Sequence, residues 1–179
     1  MNMNNNKVVL YIATSLDGYI ARRDGSVDWL DHVEVGEGDG GYSEFYSTVG
    51  TIVMGRMTYD EVLILADVFP YADKPCYVLS RSKQASTAHV TFTDESINTL
   101  IPRLKGDSKG DIWLVGGGQL AAAFLQEGLL DELHIAIIPT ILGEGIPLFQ
   151  AGVAPTNLHL MKVDKFEQMV SLIYKVNNN

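Results

Sequence analysis

Leu114-Val115-Gly116-Gly117-Gly118-Gln119-Leu120-Ala121-Ala122-Ala123-Phe124-Leu125 is the stretch that decides the fold. An apolar run beginning at Asp111 ends directly at three glycines, and an alanine-rich run follows with no linker. A strand that runs straight into a helix leaves the first helical N–H groups unpaired, pointing outward with the positive end of the helix dipole. Pyrophosphate suits such a turn: glycine lets the anion reach the backbone, and the small alanines at 121–123 let the helix lie close to the sheet. Gly116-x-Gly118-x-x-Ala121 satisfies the dinucleotide fingerprint in form, the alternative being a tight turn with no ligand. A Rossmann unit would carry an acidic residue at the end of the next strand, whereas Asp131 and Glu132 stand at its beginning. The motif also falls in the second half of the chain. Both facts point to phosphate binding by a different α/β fold.

Toward the N-terminus, residues 8–14 read as a buried strand, because their nearly continuous apolar character suits a strand covered on both faces. Residues 24–41, polar and glycine-rich around Trp29, form a long loop of the kind that carries function. A short helix is predicted over 43–49, then a strand over 51–55 and a helix over 56–65. That helix begins near Thr58, with Glu61 completing a capping box. Strands at 75–80 and 90–92 precede a helix over 94–104, capped by Asp94, with Ile97, Leu100, Ile101 and Leu104 on one side and Pro102 weakening its second half. The glycine turn joins a strand over 111–115 to a helix over 119–127. A further strand covers 132–138, a glycine-bearing loop 142–147, and an antiparallel hairpin 158–165 with 169–176. The pattern is α/β: a three-layer α/β/α sandwich with a mostly parallel central sheet and an antiparallel C-terminal hairpin. Residues 7–179 make one domain behind an asparagine-rich tail, 1–6, expected to be disordered.

With 179 residues and 46% hydrophobic content the chain can bury one sizeable core. Its formal charge of -9 opposes counterion release, which argues against nucleic acid or an anionic membrane as a partner. The one cysteine, Cys76, cannot form an internal disulfide and sits in the apolar run PCYVLS. That indicates a reducing, cytoplasmic compartment and a thiol packed as a small hydrophobe. The N-terminal apolar run is too short for a membrane span or a signal peptide. His32, His89, His134 and His159 lack metal-ligand spacing, so no metal centre is expected.

Two more strand ends carry anion chemistry. Gly55-Arg56-Met57-Thr58-Tyr59 offers a guanidinium for a charge-assisted bond to phosphate and a hydroxyl that can cap the helix while touching the same anion. The plainer reading leaves Arg56 solvated and Thr58 a cap alone. Leu79-Ser80-Arg81-Ser82-Lys83 supplies hydroxyls and cations suited to a ribose 2'-phosphate. Ligands of open α/β sheets bind outside the carboxyl ends of the strands, so the three turns can converge on one dinucleotide.

The order SLDGYIA (15–21), VMGRMTY (53–59), YVLSRS (77–82), WLVGGGQL (113–120) and PTILGEGIPLF (139–149) resembles the dihydrofolate-reductase-like superfamily. Within it, the chain is most similar to the C-terminal reductase domain of the bacterial riboflavin-biosynthesis bifunctional deaminase-reductase and its stand-alone relatives, over residues 7–176. The resemblance implies an NADPH-dependent oxidoreductase that passes a hydride to a small heterocyclic substrate, as 5-amino-6-(5-phosphoribosylamino)uracil reductase or dihydrofolate reductase does. The alternative is a catalytically silent NADP(H)-binding module of the same fold. It also implies that Ala13 lies beside the nicotinamide and that Gly55, Arg56 and Thr58 meet the phosphates. Leu79, Ser80 and Arg81 would hold the adenosine end, and Gly116, Gly117, Gly118, Gln119 and Leu120 would wrap the pyrophosphate. A cis peptide is implied between Gly116 and Gly117. Folate-reducing relatives place a carboxylate under the substrate, and three residues are candidates for it here: Asp17, Asp39 and Glu44. Trp29 is similar to a tryptophan of the substrate loop. The riboflavin-pathway reductases carry an Asp-x-Pro-x-Leu-x-x-Arg stretch after the second strand, where this chain has Met57-Thr58-Tyr59-Asp60-Glu61-Val62, a departure that bears on the substrate. The stretch 139–149 resembles the family's subunit contact and implies a homodimer.

Overall fold

The computed structural model describes residues 5–82 and 84–178. In chain order it contains β1 (Val8–Ser15), β2 (Tyr19–Ala21), a 3-10 turn (Asp28–Leu30), α1 (Tyr42–Thr48), β3 (Val49–Gly55), α2 (Arg56–Leu65), β4 (Cys76–Leu79) and β5 (Val90–Thr93). There follow α3 (Ile97–Asp107), β6 (Asp111–Leu114), α4 (Gly118–Gln126), β7 (Glu132–Ile138), β8 (Ile146–Pro147), β9 (Leu158–Phe166) and β10 (Met169–Val176).

Eight strands form one sheet in the order β5-β4-β3-β6-β1-β7-β10-β9, the first six mutually parallel, with β10 antiparallel to β7 and β9 antiparallel to β10. The unbroken apolar run of β1 has its cause here: Val8 and Leu10 face one helical layer while Val9 faces the other. Phe45 of α1 and Tyr59 of α2 pack on Val9, Ile52, Met54, Cys76, Val78 and Trp113. On the opposite face Leu100, Ile101 and Leu104 of α3, with Ala121 and Phe124 of α4, pack on Val8, Leu10, Val53, Ile112 and Leu114. Each such fully buried aliphatic or aromatic side chain contributes about 1.5–3 kcal/mol. The result is the three-layer sandwich of the dihydrofolate-reductase-like kind. Cys76 is buried in it, and burial pushes its thiol up to about 12, consistent with a packing role. No helix among the described residues is long and apolar enough to cross a membrane.

Five local expectations are corrected. α2 opens at Arg56 with Gly55 as its N-cap and no side-chain cap, so Thr58 lies inside the first turn and does not cap it. α3 is capped by the Ser96 hydroxyl, which accepts from Asn98 N at 3.3 Å, and not by Asp94. α3 also runs through Pro102 to Asp107. The missing proline N–H orphans only the carbonyl of exposed Asn98, which water can satisfy, while Leu104 one turn on gains full burial. Two short strands, β2 and β8, pair with each other where only loops were expected. Asn6, placed by the sequence in the tail, donates to the carbonyls of Lys105 and Ser108 at 3.1 and 2.8 Å.

The start of β1 is fixed by charge. Lys7 Nζ meets Glu132 at 2.8 Å, and the other Glu132 oxygen meets His134 Nε2 at 3.0 Å. The amides of Lys7 and Val8 donate to Asp111 and Asp131. Burial pushes the Glu132 carboxyl up, but the bonds from Lys7 and His134 outweigh it and hold the group below its ordinary 4.5. A lowered folded-state value means stability that is complete above the unfolded pKa and lost as pH falls through the folded one. Glu132→Gln should therefore cost about 1–3 kcal/mol at pH 7, Lys7 being half-exposed, with the gap narrowing as pH falls below the ordinary 4.5. Urea unfolding at both pH values measures this, and an equal loss at pH 7 and pH 3.5 would refute it.

Candidate active site

β3 and β6 are neighbours, yet the helix after β3 covers one face of the sheet and the helix after β6 the other. This divergence is the switch point at which α/β sheets bind ligands. The N-termini of α2 and α4 meet there, and both are bare: Gly55 and Gly117 are their N-caps and no side chain caps either. The other two helices are satisfied. Ser96 caps α3, and the Asp39 carboxylate accepts from Gly41 N at 3.2 Å, from Ser43 N at 2.8 Å and from the Ser43 hydroxyl at the start of α1. Unpaired N–H groups thus collect at the one place where an anion can use both dipoles.

The glycine turn is built by backbone conformation. Gly116 (φ 132°) and Gly117 (φ 100°) both adopt positive φ, which side chains other than glycine rarely do. The expected cis bond between them is absent, every described peptide being trans, because two successive positive-φ residues already reverse the chain. The three glycines face three different neighbours. A Cβ on Gly116 would lie 2.9 Å from Ile12 Cδ1, one on Gly117 3.4 Å from Thr58 Oγ1, and one on Gly118 2.6 Å from the Pro147 carbonyl. Thr58 Oγ1 donates to the Gly116 carbonyl at 3.1 Å, and a Cβ on Gly55 would lie 4.0 Å from Leu120 Cδ2, so the first and second turns touch.

The third turn is joined through Arg56. Its Nε donates to both Asp60 oxygens at 2.8 and 3.0 Å, a terminal N–H donates to Gln84, and the guanidinium lies 5.7 Å from the Phe92 ring centre. The cation is thereby held beside the segment that leaves β4. There, the Ser80 amide donates to Thr93 O at 3.0 Å and the Ser80 hydroxyl accepts from Ser82 N, with Arg81 exposed. Lys83 lies outside the described residues. Leu79 ends β4 opposite Gly55, while Gln119 is exposed on the first turn of α4.

Ala13 pairs with Ala136 of β7, two small side chains side by side near the carboxyl ends of their strands. Trp29, in a loop expected to be too polar for the core, is only 6% exposed and packs against Ala13, Ala136, Ile138, Leu142 and Met169. Its indole N–H is the one buried side-chain polar atom without a partner among the described residues. Asp17 sits exposed at the turn after β1 and accepts three hydrogen bonds. Its Oδ1 accepts from Ser15 Oγ at 2.6 Å and Leu142 N at 3.1 Å, and its Oδ2 from Gly143 N at 2.8 Å. The Ser15 hydroxyl first, then the two amides, hold it below the ordinary 3.8. Asp39 is likewise lowered, chiefly by Ser43. Glu44 is exposed on α1. The structure therefore gathers Ala13, Trp29 and Asp17 around the end of β1, and gives Asp39 to the start of a helix.

Sequence reasoning missed Asp60, Gln84 and Phe92 as the seat of Arg56, and the backbone of Leu142 and Gly143 as the partner of Asp17. The i,i+4 spacing of Arg56 and Asp60 was the one available signal. No cluster of His, Cys, Asp or Glu able to hold a metal occurs among the described residues.

A dihydrofolate-reductase-like sandwich with two bare helix N-termini at its switch point defines a reductase-type fold. The chain belongs to the RibD C-terminal domain family, whose model matches residues 6–172. It is similar to YwjB, an uncharacterized protein of Bacillus subtilis (strain 168), at 49% identity, over 94% of this chain and 97% of that one. Its fold matches a putative riboflavin biosynthesis protein from Shewanella sp. PV-4 with a TM-score of 0.85 and 30% identity, covering 96% and 99% of the two chains. The fold alone is shared with a diaminohydroxyphosphoribosylaminopyrimidine deaminase/5-amino-6-(5-phosphoribosylamino)uracil reductase from Thermotoga maritima. There the TM-score is 0.72 at 17% identity, over 96% of this chain and 57% of that larger protein.

Proposed function

We propose that the chain is a cytoplasmic NADPH-dependent reductase that transfers a hydride to a small heterocyclic substrate. The observation that carries this reading is the meeting of two uncapped helix N-termini over a positive-φ glycine turn, tied together by the Thr58 bond to Gly116. When bound, a nicotinamide dinucleotide supplies the hydride. The amides at the starts of α2 and α4 would hold its pyrophosphate, with Gly116, Gly117, Gly118, Gln119 and Leu120 on one side and Gly55, Arg56 and Thr58 on the other. Leu79, Ser80 and Arg81 would hold the adenosine end, Arg81 being the exposed cation there. Ala13 would lie beside the nicotinamide, and the unpartnered N–H of Trp29, which packs against Ala13 and Ala136, would donate to an acceptor on the substrate.

Asp17 is assigned to positioning: with three accepted bonds and a lowered pKa it stays ionised near neutrality and fastens the 142–143 backbone beside the site. Asp39 is engaged in the same way at α1. The proton that balances the hydride would then come from water or from the substrate, and Glu44 would be a surface acid. This occupation of the candidate acids also favours a second reading, a silent NADP(H)-binding module. The homodimer expected from the family resemblance belongs to the proposal.

Thermal shift with NADPH at 100-fold its dissociation constant should raise the melting temperature by roughly 5–10 °C. NADH should bind at least about tenfold more weakly if Arg81 and Arg56 read a 2'-phosphate. Absence of any shift with NADPH would sink both readings, and NADPH oxidation supported by a pterin, pyrimidine or quinone-like compound would remove the second. Asp17→Asn should lower that rate without deleting an inflection from the pH profile between 5 and 8. Loss of an inflection would make Asp17 the proton donor.

A further inference from the structure

A dinucleotide is an anion, and the turns that would hold it carry bare donors: two uncapped helix starts, with Arg56 and Arg81 beside them. Around the end of β1, where the substrate would lie, four donor groups of the same kind already hold carboxylates of the chain itself. The amides of Leu142 and Gly143 donate to Asp17 at 3.1 and 2.8 Å. Those of Gly41 and Ser43 donate to Asp39 at 3.2 and 2.8 Å. Arg22 Nε meets Asp28 at 2.6 Å, and the Arg23 guanidinium meets Glu144 at 2.9 Å. All four border one cluster. Trp29 follows Asp28, Leu142 lies two residues before Glu144, and both side chains pack with Ala13 and Ala136. A Cβ on Gly40 would meet Met169 of the same cluster at 2.8 Å, which seats the neighbouring Asp39 against it.

We infer that the substrate of this site is an uncharged or protonated heterocycle that carries no phosphate or carboxylate. The inference rests on the reductase reading and narrows it. A phosphate brings a charge of about -1.5 to -2 and binds where N–H donors are free to turn to it. Here it would have to displace an internal carboxylate and leave that group without its donors. The local sequence adds repulsion, since residues 24–55 hold seven acids and no lysine or arginine. The buried donor left over asks for no charge either. Trp29 is 6% exposed and its indole N–H has no partner among the described residues. A ring carbonyl or a ring nitrogen satisfies such a donor without being ionised. Acidic surroundings also favour the protonated form of a basic ring nitrogen. Charge is thus divided along the site, with cations and open amides at the cofactor end and occupied donors at the substrate end.

Two matched pairs of compounds test this on the full chain saturated with NADP⁺, which fills the anion-binding turns: hydroxymethylpterin with its phosphate ester, and an aminouracil riboside with its 5'-phosphate. In calorimetric titration the uncharged member of a pair should bind at least about tenfold more tightly than its phosphorylated partner. Asp28→Asn with Glu144→Gln removes two solvent-exposed ion pairs of little weight for stability and releases Arg22 and Arg23. That double substitution should cut the ratio at least about fivefold, because two guanidinium groups become open to phosphate. A phosphorylated member that binds as well as its uncharged partner in either pair, failure of all four compounds to bind, or a ratio unmoved by the double substitution would overturn the assignment. The NADPH thermal shift keeps the two levels apart. A chain that binds NADPH and fails these comparisons loses the substrate assignment alone, whereas a chain that shows no NADPH shift loses the reductase reading and the assignment with it.

Discussion

Gly117→Ala is expected to raise the NADPH dissociation constant at least about 30-fold while the chain still folds, because the substitution acts twice on the same turn. First, Gly117 has φ 100° and ψ 122°, a conformation that costs an alanine about 1–3 kcal/mol, so the turn relaxes away from the geometry that exposes the α4 amides. Second, the added Cβ would stand 3.4 Å from Thr58 Oγ1, in contact with the atom that joins the α2 turn to the Gly116 carbonyl and leaving it no slack. Both bare N-termini are then displaced from each other. Calorimetric titration below the melting temperature of the variant measures the effect. Wild-type affinity in a folded Gly117→Ala chain would show that the glycine turn does not hold the dinucleotide.

Gly118→Ala should fail for a different reason, losing about 2–4 kcal/mol of stability whether or not a nucleotide is present. Its Cβ would sit 2.6 Å from the Pro147 carbonyl and 3.3 Å from both the Leu148 carbonyl and Gln150 Nε2. Two of these are backbone, which cannot swing away as a flexible side-chain end can. Leu148, moreover, is buried in the main core and donates its amide to the Gly18 carbonyl, so a displaced 147–150 segment would loosen the chain just past β1 as well. Denaturant unfolding with and without NADPH separates the two glycines: Gly117→Ala weakens the ligand-dependent part and Gly118→Ala the ligand-independent part. An unchanged midpoint for Gly118→Ala would contradict the packing argument.

These two residues also mark where the sequence could be read and where it could not. A glycine triplet between a strand and a helix announces a turn with exposed amides, and the fold class followed from such alternations; β7 and β10 were placed to the residue because each is a run of seven or eight residues, mostly apolar. That Gly118 serves the 147–150 segment could not be seen, since Pro147 is remote in sequence and its approach is a product of the folded sheet. Strands of two or three residues, β2 and β8, have too few positions to show a period and exist only as each other's partners. Caps failed for a related reason. Asp94 and Ser96 are equally good cap types two residues apart, and only the burial of Leu100, Ile101 and Leu104 fixes which one starts the helix. Thr58 read as a cap because its true partner, Gly116, is 58 positions away. The candidate acids were visible as residue types, but their use is a matter of distant or local amides: Leu142 and Gly143 for Asp17, Gly41 and Ser43 for Asp39.

The position of β6 has a consequence for how the protein is made. β6 separates β3 from β1, so neither of those earlier strands has its final neighbour on that side until residues 111–114 have left the ribosome. For the first hundred residues of synthesis the emerging chain holds two apolar, parallel-pairing edges open toward each other, with β7 still to come on the far side of β1. A sheet that closes by inserting its middle strand late folds slowly relative to its size and depends, while it waits, on not meeting another nascent copy.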